Sequence, residues 1–134
     1  MSDERFFDAR HDPGQVPLSK LAFLGDAVFE LLVRELLVEK YEIPFEKINE
    51  YKRRFVCAAA QSADAEKILP VLSEEESAIY RRGRNAKHKS VPKNSTPGEY
   101  SRATGFEALV GYLYLKGQKQ RILELFSIID GGGE

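Results

Sequence analysis

The chain has 134 residues, with 21 acidic residues against 20 Lys and Arg and a formal net charge of -1. That length suits one domain with its own core. The balanced charge excludes a protein that binds nucleic acid through a uniformly basic surface, and it excludes a disordered, highly charged protein. The single cysteine excludes an internal disulfide framework, and no apolar run reaches the ~18 residues that cross a bilayer. The acid-rich start, MSDERFFDARHDPG, is unlike a secretory signal, so we expect a cytoplasmic protein.

The first half of the chain is predicted to be helical. Apolar residues recur at spacings of three and four, without period-2 runs, which indicates an all-α fold. After a polar leader over residues 1–16, a helix is predicted to begin at Pro17 or Leu18 and to end at Lys40. The next segment, FEKINEYKRRFVCAAAQSADAEKIL, is interpreted as one or two helices ended by Pro70.

The second half is predicted to contain three more helices and one basic loop. Ser73 and Glu76 form a capping box that begins a helix running towards Tyr80 or beyond. A mobile basic loop is expected over residues 81–97, because RRGRNAKHKSVPK carries six Lys or Arg and no acid, and because glycine and proline interrupt it. A strongly apolar helix then ends at Gly117, and an amphipathic helix, QKQRILELFSII, precedes a loose tail over residues 130–134.

Two acids lie inside apolar helices. Asp26 is in LAFLGDAVFELLV and Glu107 is in ATGFEALVGYLYL. A buried, ionised carboxylate without a partner is very unfavourable, so each acid needs a partner. A satisfied ion pair is the simple interpretation of either acid taken singly. If the two helices pack with the acids facing each other, Mg²⁺ between them offsets their repulsion, since Mg²⁺ is commonly held by one or two carboxylates and keeps several waters.

Small and polar neighbours surround the two acids. We expect the small residues to leave room for a cation, its waters and a phosphodiester; they are Ala22, Gly25, Ala103, Gly105 and Gly111. Glu30 lies one helical turn from Asp26 and is a candidate for a residue that supports the metal ligands without binding the cation itself.

The residues around both acids carry a family resemblance. LAFLGDAVFELLV resembles the signature helix of the ribonuclease III family, whose pattern includes LEFLGDAVLEL, and TGFEALVGYLYLKG resembles the later family pattern VEALIGAIYLDGG. With RFVCAAAQ and RRGRNAK between them, the likeness covers almost the whole chain and indicates the short, mini-ribonuclease III branch. That branch consists of the nuclease domain alone, so we expect no separate double-stranded-RNA-binding domain.

The resemblance implies a Mg²⁺-dependent endoribonuclease, with Mn²⁺ as a substitute cation, that cleaves double-stranded RNA to 5′-phosphate and 3′-hydroxyl ends. Asp26 and Glu107 match the family's essential metal-associated acids and are the expected catalytic residues and metal ligands. The attacking group would be a metal-activated water. The resemblance also implies a helical homodimer whose two sites line one groove, and a substrate in precursor large-subunit ribosomal RNA.

The chain departs from the longer family members at three positions. Ser19, Ala22 and Thr104 stand where those enzymes have acids, which puts a two-metal site in doubt. We expect water molecules held by Ser19 and Thr104 to take the place of the missing carboxylates, so Thr104 is also a supporting residue of the site. A further acid, Glu46 or Glu50, is left unassigned.

The basic loop fits an RNA substrate, because proteins grip A-form duplexes through phosphates and 2′-hydroxyls. The expected phosphate contacts are Arg81, Arg82, Arg84, Lys87 and Lys89. A solvated run of charge is the alternative interpretation of this segment. For the whole chain, the alternative function is a non-catalytic helical module that binds double-stranded RNA or the ribosome, which the missing acids make conceivable.

Overall fold

The computed structural model describes residues 5–86, 91 and 93–130, and within them all regular structure is helical. The six α-helices are Leu18–Lys40 (α1), Phe45–Val56 (α2), Ala58–Ile68 (α3), Glu74–Arg84 (α4), Pro97–Leu115 (α5) and Lys119–Ile129 (α6). Short 3-10 turns lie at Pro13–Gln15 and Leu69–Val71. The all-α prediction is confirmed. In the part of the chain described, no helix has the length and hydropathy that a membrane span requires.

Local chemistry sets the helix ends. The Ser73 hydroxyl accepts from the Glu76 backbone N–H at 3.1 Å, and the Glu76 carboxylate accepts from the Ser73 N–H at 2.9 Å, so the predicted capping box begins α4. A second capping box begins α5, where Thr96 and Glu99 exchange the same two bonds. Gly117 has a φ of 73°, a left-handed conformation that favours glycine, and it ends α5 as predicted.

Helix α5 lies at the centre of the fold and packs against α1, α3, α4 and α6. Its residues from Phe106 to Leu113 are buried except for Glu107, which is half-buried. The ring of Phe29 on α1 meets Phe106 edge-on with centroids 5.0 Å apart, and Phe126 of α6 lies 6.2 Å away on another side. Burial of these aromatic and aliphatic side chains fixes α1 and α5 against each other.

The predicted start of the basic loop at Arg81 is wrong, because α4 continues to Arg84. Gly83 does not interrupt the helix. It is buried, and a Cβ at this position would lie only 2.9 Å from the Gly105 Cα of α5. Close packing of the two helices therefore offsets the weak helix propensity of glycine. The rest of the predicted loop includes residues 87–90 and 92, which lie outside the described residues, as do residues 131–134 of the predicted tail.

Candidate active site

Helices α1 and α5 cross with their backbones in direct contact. A Cβ at Gly25 would overlap the Glu107 carbonyl oxygen and lie 2.7 Å from the Gly111 nitrogen, and a Cβ at Gly111 would overlap the Leu21 carbonyl oxygen. Only glycine permits this approach. The crossing places Asp26, which follows Gly25, beside Glu107.

The prediction that the glycines near the two acids leave open space for a cation is wrong. The space beside Gly25 and Gly111 is occupied by the backbone of the facing helix, and Gly105 is packed against Tyr80. Among the expected small residues, only Ala22 lines the cleft described next. The glycines act on the site through backbone geometry rather than through open space.

A cleft of about 280 Å³ contains both acids. Its walls come from the first half of α1, the turn after α4 and the first half of α5; the lining residues are Leu18, Ser19, Ala22, Phe23, Asp26, Ala86, Tyr100, Thr104 and Glu107. Ser19, Ala22 and Thr104, the three positions at which longer ribonuclease III enzymes carry acids, are all in this lining. The Thr104 hydroxyl donates to the Tyr100 carbonyl at 2.9 Å.

The two carboxyl groups are coupled. Burial, followed by the negative charge of Asp26 and a hydrogen bond with it, raises the pKa of Glu107 from 4.5 to about 8. The Gln61 side chain, which lies against the Glu107 carboxyl, opposes these effects and lowers the pKa. Without a cation, Glu107 therefore carries a proton at neutral pH.

This pair of acids fits a divalent cation. Both are hard oxygen donors, they lie close enough to share a hydrogen bond, and the negative charge of Asp26 is one of the causes that raise the pKa of Glu107, after burial. Within the described chain, no group of three or more His, Cys, Asp and Glu side chains is arranged to hold a metal. The donor set therefore suits Mg²⁺, which keeps several waters, better than a cation that requires a full protein cage.

Gln61 is a residue near the site that sequence reasoning missed. It lies on α3 and is 2% exposed, and its side chain interacts with the Glu107 carboxyl. The signal available in the sequence was a lone amide in the Ala-rich stretch AAAQSADA, facing the same way as the core residues Ala65 and Ile68. That pattern does not identify which acid the amide would meet.

Glu30, the other predicted supporting residue, is placed away from the cleft lining. Its carboxylate accepts from the Arg34 guanidinium and from Lys52 Nζ, the latter at 3.3 Å. The Arg34 hydrogen bond is the largest cause of its lowered pKa. Glu30 thus joins α1 to α2 through its ion pair with Lys52, while its pair with Arg34 lies within α1.

The described arginines at the end of α4 lie near the cleft, because Ala86, two residues beyond the helix, is part of its lining. Arg81 and Arg82 are exposed, and Arg84 is half-buried with its guanidinium 5.8 Å from the Tyr80 ring centroid. Lys87 and Lys89, the other two expected phosphate contacts, lie outside the described residues.

The structure is an all-helical domain in which Asp26 and Glu107 line one cleft, and the sequence had predicted the helical fold and indicated that these two acids share a site. Residues 19–118 match the Ribonuclease III domain, and the chain belongs to the ribonuclease III family.

Two relatives and one solved structure are similar to this chain over most of its length. The chain is 46% identical over 114 residues to a Mini-ribonuclease 3 from Symbiobacterium thermophilum, covering 85% of this chain and 88% of that protein. It is 41% identical over 124 residues to a Mini-ribonuclease 3 from Brevibacillus brevis, covering 90% and 92%. A crystal structure of a Fusobacterium nucleatum protein superimposes with a TM-score of 0.81 at 32% identity, covering 92% of this chain and 98% of the other.

Proposed function

We propose that this protein is a Mg²⁺-dependent endoribonuclease that cleaves double-stranded RNA, as its similarity to the Mini-ribonuclease 3 proteins suggests. The observation that carries the proposal is the coupled pair of Asp26 and Glu107 in an open cleft. These two residues would hold the cation. When bound, Mg²⁺ activates water and stabilises the charge that develops on a phosphodiester.

The chain's own residues account for the rest of the site. Glu107 must release its proton before it binds a cation, and the Asp26 carboxylate beside it becomes the second oxygen donor. The hydroxyls of Ser19 and Thr104 line the same cleft and provide polar contacts for water or phosphate oxygens. Phe23 and Leu18 contribute apolar side chains to the wall of the cleft.

The basic residues beyond the cleft are proposed to grip the duplex. Arg81 and Arg82 are exposed in the last turn of α4, and we extend the same role to Arg84, Lys87 and Lys89. Contacts to phosphates are independent of sequence and weaken as salt rises. The group therefore supplies affinity for A-form RNA, while the two acids supply cleavage.

The first test separates a nuclease from a binding module. Duplex RNA, single-stranded RNA and duplex DNA of one sequence are incubated with the protein, with Mg²⁺ or with chelator, and analysed on denaturing gels. Of the three nucleic acids, we expect only duplex RNA to give discrete fragments with 5′-phosphates. Cleavage should require a divalent cation, and Mn²⁺ should substitute for Mg²⁺. Intact RNA that still shifts on a native gel would instead favour the non-catalytic module.

The outer face of α1 supports a homodimer. Phe23, Leu31 and Val38 are 82%, 61% and 68% exposed, and their spacings of eight and seven residues place them on one side of the helix. Exposed large apolar residues grouped on one side of a helix are a feature of protein interfaces. Because Phe23 also lines the cleft, a second copy of the chain on this face would lie next to the acids.

The dimer is tested by light scattering during gel filtration. Wild-type protein is expected at twice the 15.2 kDa of one chain, whereas Leu31→Glu with Val38→Glu is expected at the mass of one chain and with weaker cleavage. Leu123→Glu, at an exposed apolar position on α6, is the matched control and should stay dimeric. Wild-type protein at single-chain mass at micromolar concentration would contradict the dimer.

Precursor large-subunit ribosomal RNA is the proposed natural substrate, on the strength of the motif resemblance, and the cytoplasm is the proposed compartment. Its duplex stems are the structural class of RNA that the two-acid cleft and its flanking arginines suit.

A further inference from the structure

The buried amide of Gln61 is unusual among the polar groups of α3. The neighbouring Ser62 is satisfied, because its hydroxyl accepts from Arg102 Nε at 2.6 Å. The Nε2 atom of Gln61 is buried and makes no completed hydrogen bond within the described residues, although the side chain lies against the Glu107 carboxyl. A buried donor left in this state calls for an explanation.

The surroundings of Gln61 keep it in place. Ala65 and Ile68, on the same face of α3, are fully buried in the core, and α3 packs along α5. The Gln61 side chain therefore cannot swing into solvent to satisfy its amide. The polar group that its side chain lies against is the Glu107 carboxyl of α5.

We propose that Gln61 is a positioning residue whose Nε2 donor orients the Glu107 carboxylate for binding a divalent cation. The inference rests on the proposed function. A neutral amide suits this task, because it stabilises the carboxylate without adding a positive charge that would repel the cation. A carboxylate has enough lone pairs to accept from Gln61 and to bind a cation at once. Residues that hydrogen-bond metal ligands commonly tune affinity in this way.

The alternative is that Gln61 only fills space in the core. Gln61→Met separates the two roles, because methionine keeps the length and volume of the side chain and removes the donor. The first measurement is the Mg²⁺ concentration at the midpoint of the cation-induced rise in Tm, without RNA. The second is the Mg²⁺ concentration at half-maximal cleavage of duplex RNA.

We expect Gln61→Met to raise both Mg²⁺ midpoints roughly 10- to 100-fold, with much of the cleavage rate recovered at saturating Mg²⁺. Gln61→Asn keeps an amide that is one methylene too short to reach Glu107 and should show the same increase. It serves as the second variant if the methionine protein folds poorly. Ser62→Ala is the matched control on α3: it loses the bond to Arg102 and some stability, with both midpoints unchanged.

Unchanged midpoints in Gln61→Met, with a wild-type protein that cleaves RNA, would overturn the positioning role and leave the proposed function intact. A wild-type protein that neither gains Tm from Mg²⁺ nor cleaves duplex RNA would overturn the proposed function, and the role of Gln61 with it.

Discussion

A Gly25→Ala variant is expected to lose about 4 kcal/mol or more of its free energy of unfolding, a large part of what a domain of this size has. The added methyl would overlap the Glu107 carbonyl oxygen of α5, and backbone cannot move aside as a flexible side chain can. Helices α1 and α5 must then separate, which also moves Asp26 away from Glu107. Urea unfolding followed by circular dichroism measures the loss.

Gly98→Ala is the matched control for this change. Gly98 is exposed in the first turn of α5, and a Cβ there would meet only the end of the long Arg102 side chain, at 3.3 Å, and no backbone. Alanine favours helix by up to ~1 kcal/mol over glycine, so this variant should be neutral or slightly more stable. Equal stability of Gly25→Ala and Gly98→Ala would contradict the backbone contact at the crossing.

A Glu107→Gln variant is expected to be more stable than the wild type at pH 8 without cations, by roughly 2 to 4 kcal/mol, while losing nuclease activity. The folded protein holds the Glu107 proton up to a pKa of about 8, against an ordinary value of 4.5. It therefore binds more protons than the unfolded chain between these values, and wild-type stability falls as pH rises through them. Glutamine removes this fall, because it is neutral and still donates to Asp26.

Thermal unfolding from pH 4.5 to 8.5, with and without Mg²⁺, measures this difference. Asp64, whose pKa burial raises to about 6, adds a fall of the same sign at lower pH in both proteins, so it cancels from the comparison. Mg²⁺ should raise the Tm of the wild type at pH 8 but not that of Glu107→Gln. Glu30→Gln is the control of opposite sign, since it removes the negative charge that pairs with Arg34 and Lys52 and should lower stability. A pH-independent difference would refute the shifted pKa.

Helix positions could be predicted closely because the signals are local. Apolar spacing and Lys40 delimit α1 correctly, and the side chains of Ser73 and Glu76 begin α4 by bonding to backbone three residues away. The loop prediction failed at Gly83 because the packing partner of that glycine, Gly105, is far away in sequence. Propensity alone gave no indication of that contact.

The site was only partly predictable for the same reason. Two acids inside apolar helices indicated a site that Asp26 and Glu107 share, since a cation between facing carboxylates offsets their repulsion. The amide of Gln61 comes from a third helix, and only the packing of α3 on α5 assigns it to Glu107. Glu30 was placed near the site by helical spacing, which could not anticipate the competing ion pair with Lys52 from α2.

The central claim is that Asp26 and Glu107 act together in one cation-dependent site. It is tested most directly by Mg²⁺-dependent cleavage of duplex RNA by the wild type, Asp26→Asn, Glu107→Gln and the double variant, at a pH where all four are folded. We predict that each single change lowers the rate roughly 100-fold or more and that the double variant is no slower than the worse single one. Near-wild-type cleavage by either single variant, or losses that multiply in the double variant, would contradict a shared site.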